Sequence, residues 1–135
     1  MFATNTAAID VQAATFALTA SIFHGETGGT FTPDGQVYQG TTGYVVSFGS
    51  DTCLEVPAID IDHDAIHRFL ARTWRTAAHT TDGELIVGWW LHKGRVYVDW
   101  GEVDQSLPRA ITKAIRREQL AIYSLATGTE IETGK

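Results

Sequence analysis

The sequence predicts an α+β domain with three helices packed on antiparallel β-hairpins. Three observations predict it. Three segments space their apolar residues at helical intervals. Between them lie β-type runs joined by short turns, which imply antiparallel pairing. The whole chain of 135 residues, 44% hydrophobic and 19% charged, fits one domain over residues 1–135 with an ordinary core.

The elements follow in the order α-β-β-α-β-β-α-β-β, with about six strands. Residues 7–23 read as a helix with Ile9, Ala13, Phe16, Ala20 and Phe23 on its apolar stripe and Gly25 as its stop. Residues 29–48 read as two strands, separated first by the turn P-D-G and then interrupted at Gly40 and Gly43. A short strand over 53–56 is an optional addition. Residues 63–78 read as a second helix, capped by Asp62, with Ile66, Phe69, Leu70, Thr73, Trp74 and Ala77 inward. Residues 84–103 read as a hairpin. A two-residue turn at Lys93–Gly94 sets Trp90 opposite Tyr97 and Gly88 opposite Asp99. One face is then Leu85, Val87, Trp89, Leu91, Val96, Val98 and Trp100, and the other includes Trp90, Tyr97 and Asp99. Residues 107–119 read as a third helix with Ser106 as cap and Pro108 in its first turn. L-A-I-Y-S-L, the turn A-T-G and T-E-I-E-T close the chain as a last hairpin.

Charge is distributed unevenly. Residues 1–67 carry eight acids and no lysine or arginine, whereas residues 68–135 carry ten bases against eight acids. The net charge of -6 disfavours non-specific nucleic-acid binding, which depends on phosphate neutralisation. Cys53 is the only cysteine, so no intrachain disulfide forms. The start of the chain has no basic n-region, and its longest apolar-leaning segment, residues 11–23, is too short and polar to span a bilayer. The expectation is a cytoplasmic protein without membrane contact.

D-I-D-H-D-A-I-H, residues 60–67, places His63 and His67 at i, i+4, the spacing of two metal ligands on one helix. No glutamate follows the first histidine, and no segment offers further ligands. Boundary histidines beside Trp74 are the preferred reading, with no metal and no cofactor expected. A metal-dependent hydrolase using His63 and His67 is the alternative. No nucleophile elbow, phosphate loop or Cys–His signature occurs, so no catalytic residue is assigned.

Three surfaces stand out for binding. Arg68, Arg72 and Arg75 form an i, i+4, i+7 stripe opposite the apolar face of the second helix, and Arg109, Lys113 and Arg116 repeat that spacing on the third. If those helices lie side by side, the stripes merge into one positive strip. Trp90 and Tyr97, with Gly88 leaving space beside Asp99, make an aromatic anchor if exposed and core if covered. The acidic first half is the third.

G-G-T-F-T-P-D-G with T-G-Y-V-V-S, and L-A-I-Y-S-L-A-T-G-T-E-I, resemble small uncharacterised proteins of actinobacterial phages and plasmids. The resemblance implies context only: an accessory protein that binds a host protein, such as a component of restriction or CRISPR defence. The leading expectation is a non-enzymatic protein-binding or inhibitor protein. A self-associating structural module, pairing strand edges into a homodimer, is the third reading.

Overall fold

A computed structural model describes residues 8–134. Its helices are α1 (Val11–Phe23), α2 (His63–Thr80) and α3 (Leu107–Arg116). Its strands are β1 (Gly28–Phe31), β2 (Tyr44–Ser47), β3 (Cys53–Pro57), β4 (Glu84–His92), β5 (Arg95–Asp104), β6 (Ala121–Ser124) and β7 (Thr129–Glu132). The fold is α+β, with helices and strands interleaved as the sequence predicts and with the short strand at β3 present.

All seven strands join one antiparallel sheet in the order β1-β4-β5-β2-β6-β7, and β3 also pairs with β5. Strand β5 is long enough to divide its outer edge. Arg95–Asp99 pair with β3, and Gly101–Asp104 pair with β2. The β4–β5 register is the predicted one, with Leu91 opposite Val96, Trp90 opposite Tyr97 and Gly88 opposite Asp99. The turn explains it: Lys93 and Gly94 both take positive φ, 51° and 76°, as a turn matched to strand twist requires.

All three helices lie on one face of the sheet. Leu85, Val87, Trp89, Val96, Val98 and Trp100 pack with Ala14 and Leu18 of α1 and with Ile66, Phe69, Leu70 and Ala77 of α2. Further along the same face, Val46 and Ile122 pack with Ala110 and Ala114 of α3. Two buried indoles find partners there: Trp89 donates to Ser21 Oγ at 2.9 Å and Trp100 to Thr73 Oγ1 at 2.8 Å.

α1 departs from expectation. Asp10 caps it, accepting from Ala13 N at 3.0 Å, so the helix begins at Val11; residue 7 of the expected span lies outside the described residues. Its buried residues are Ala14, Thr15, Leu18 and Ser21, whereas Phe16 and Phe23 are 71% and 63% exposed. The helix is apolar around most of its circumference, so hydrophobicity does not choose a face. The buried face fills the core with Leu18, lets the helix approach at Ala14 and brings Ser21 to the Trp89 indole.

Among the described residues, the sheet's other face carries no helix. There, antiparallel neighbours fall into rows across the strands. Thr30, Gly88, Asp99 and Cys53 form one row, and Gly28, Trp90, Tyr97 and Glu55 form the next. Residues 38–43 cross the far end of this face on the way from β1 to β2. Tyr38 donates its hydroxyl to Glu84 Oε1 at 2.8 Å, and Gln105 Nε2 donates to Thr42 O at 3.2 Å.

Candidate functional site

The open face presents the aromatic pair expected from the hairpin register. The Trp90 and Tyr97 rings stack with centroids 5.0 Å apart and planes 4° from parallel. Trp90 is 42% exposed. Cross-strand neighbours explain the contact, since opposed side chains in an antiparallel pair are close enough for rings to stack. Beside Tyr97, Glu55 accepts from Arg95 Nε at 2.7 Å and from the Tyr97 hydroxyl at 3.2 Å. Sequence reasoning did not connect Glu55 to this site, because β3 reaches β5 only through the tertiary fold.

Asp99 lies one row from the aromatic stack and is 9% exposed. The Ser47 hydroxyl hydrogen-bonds its carboxyl group, but Oδ1 has no hydrogen-bond partner among the described residues. No cation stands within ion-pair distance of it among the described residues; Arg95 is occupied by Glu55. Burial pushes the Asp99 carboxyl up to about 7, only partly opposed by the Ser47 hydrogen bond. Gly88, directly opposite, adds no side chain to this row, and a Cβ there would stand 3.0 Å from the Gly29 carbonyl oxygen. Cys53, on the other side, is held as the thiol. Burial, then the Asp99 and Glu55 charges, push its thiol up to about 12.

The second cluster of ionisable groups lies on the helix-bearing face. Lys113 Nζ reaches Glu102 Oε1 and Asp104 Oδ2, both at 2.8 Å, and also pairs with Asp82. Arg117 donates to Glu102 Oε2 at 2.9 Å, and Arg109 holds Asp104 through Nε and Nη2. The Asp104 carboxyl is held below the usual carboxylate range: its bonds to Arg109, Lys113 and the Ser106 N–H outweigh burial, which acts the other way. The same carboxylates push Lys113 up against its own burial. A shallow cleft of about 430 Å³ adjoins this cluster, lined by Asp82, Glu84, Val103, Asp104 and Arg109. Its central charges already bind one another.

The condition for one merged positive strip, adjacent second and third helices, is not met, and one of its residues is buried. The Lys113 side chain is 8% exposed and turned toward the sheet, not toward solvent. Arg109 is exposed but committed to Asp104, and Arg116 is exposed with no ion-pair partner among the described residues. α2 packs against α1, while α3 stands over Val46 and Ile122. The continuing alternation of β5 carried the missing signal. After Val96, Val98 and Trp100, the next inward positions are Glu102 and Asp104, and inward acids need cations.

Arg68, Arg72 and Arg75 are exposed on α2, as their spacing implies. The Arg72 guanidinium lies 5.9 Å from the Phe69 ring centroid and that of Arg75 4.5 Å from Trp74. His63 and His67 are also exposed, and Trp74 is partly buried. Their rings stack at 6.3 Å, and Asp64 Oδ1 is 3.6 Å from His63 Nδ1. No group of three or more potential ligands forms around them among the described residues. Asp62 serves as the α2 cap, accepting from Ala65 N at 2.8 Å.

No helix among the described residues is long and apolar enough to cross a membrane. Comparison with protein-family models, with curated proteins and with solved structures finds no match.

Proposed function

We propose that the chain is a non-enzymatic protein-binding module that docks its partner on the sheet face its helices leave open. The stacked and exposed Trp90–Tyr97 pair carries this reading. Aromatic anchors beside a desolvated polar group are the pattern of binding hot spots. Catalysis by the other ionic cluster is disfavoured because its acids and bases neutralise one another. Inhibition of a host defence or nucleic-acid-handling protein, the context implied by the resemblance to mobile-element proteins, belongs to this proposal. It rests on that resemblance alone.

The test is capture from nuclease-treated host lysate by immobilised protein, quantified by mass spectrometry. Wild type and Arg72→Ala should retain one stoichiometric partner, and Trp90→Ala/Tyr97→Ala should lose it. A partner retained equally by the double variant, or no partner on any form, overturns the proposal.

A further inference from the structure

Asp99 makes an unusual floor for a docking face. A buried carboxylate is ordinarily paired or fully hydrogen-bonded, because desolvating an unmatched charge costs several kcal/mol. Three carboxyl groups of β5 are buried. Glu102 and Asp104 meet Lys113, Arg109 and Arg117, whereas Asp99 has one hydroxyl partner and an empty Oδ1. The residues flanking it on its row, Thr30, Gly88 and Cys53, are small. Rotation about Cβ–Cγ is soft and nearly two-fold, so either oxygen can be turned toward an arriving donor. One row away stands the Trp90–Tyr97 stack, whose exposed π-surface favours a flat cation. Glu55 adds a second carboxylate, already shared with Arg95. Charge and shape therefore ask for one planar, multiply donating cation.

We infer that Asp99 and the Trp90–Tyr97 stack form a receptor for a single arginine side chain of the partner protein. The inference rests on the docking reading above. The guanidinium fork supplies donors to the carboxylate while its plane lies against the indole, two contacts that a point-like ammonium makes less well.

The experiment is an NMR titration of the ¹⁵N-labelled full chain with N-acetyl-arginine N-methylamide, and with its citrulline counterpart as a neutral isostere. The Trp90 indole N–H and the Gly88 amide should shift saturably. Arginine should bind at least about tenfold more tightly than citrulline, the loss of one charge-assisted contact. Asp99→Asn should abolish that preference, and Asp64→Asn, altering an exposed carboxylate on α2, should leave it intact. Unsaturable shifts, equal response to the two ligands, or an unchanged preference in Asp99→Asn overturns the receptor. The two readings fail separately. Partner capture that needs Trp90 while the arginine ligand does not bind leaves the docking face standing and removes only the arginine site.

Discussion

Asp99 and Asp104 lie five residues apart on one strand, and both are buried, yet their surroundings push their titration in opposite directions. Asp104 faces the helices and meets Arg109, Lys113 and the Ser106 N–H. Asp99 faces the open side and meets one hydroxyl. The difference teaches how to separate structural charge from charge held ready. The cluster around Asp104 closes on itself: its buried carboxylates are matched by Lys113, Arg109 and Arg117, and it fixes α3 to the sheet. Asp99 retains an unused acceptor beside an exposed aromatic pair. Depth alone does not distinguish them; the partners do.

Removing Lys113 should produce the largest effect. Lys113→Ala leaves Glu102 and Asp104 buried with fewer counter-charges, so the expected loss is about 3–5 kcal/mol in denaturant unfolding. A loss below about 1 kcal/mol would show that the cluster is not a structural clamp.

The second prediction reverses the sign. Asp99 titrates higher folded than unfolded, so its contribution to stability is complete below the ordinary aspartate value. That contribution declines as pH rises through about 7. Asp104 does the opposite: its contribution is present above the ordinary value and is lost as pH falls toward its folded one. Asp99→Asn should therefore stabilise the chain at pH 8 by about 1–3 kcal/mol, since it removes an unpaired buried charge. It should also flatten stability between pH 5 and pH 8. Melting curves across that range check both; a variant that is less stable at pH 8 contradicts the assigned environment.

Trp90→Ala should lower stability by less than about 1.5 kcal/mol, because the ring is partly exposed and its main contact is one stacked neighbour. Its effect belongs in binding. Smallest of all, Glu55→Gln should change stability by less than about 1 kcal/mol, as the Arg95 pair is half in water and screened. Both are read by urea titration. A Glu55→Gln effect above 2 kcal/mol would mean that the pair organises β3.

Much of this comparison was legible before folding. Lys93–Gly94 fixed the hairpin register, and with it the meeting of Trp90 with Tyr97 and of Gly88 with Asp99. What stayed hidden came from longer range. The partner strand of Asp99 on its outer edge is β3, with Cys53 opposite it from far upstream in the sequence, so Cys53 and Glu55 gave no local sign of membership. The facing of α1 was hidden for another reason. Its Phe16–Phe23 stripe is more apolar than the face it buries, which includes Thr15 and Ser21, and Ser21 meets the Trp89 indole there. Lys113 was misplaced because helical spacing reports a residue's angle and not the acids awaiting it across the core.

The divided edge of β5 also orders events in time. The β4–β5 hairpin closes over a two-residue turn, so its pairing costs little loop entropy. β1, β2 and β3 can dock only on strands that this hairpin provides, while β6 and β7 wait on β2. The hairpin is thus expected to be native-like at the folding barrier and the β6–β7 edge to form late. Val98→Ala should act mainly by slowing refolding, and Ile122→Val mainly by speeding unfolding. Stopped-flow chevrons decide it. If the two substitutions divide their effects alike, the long strand is a shared border and not a template.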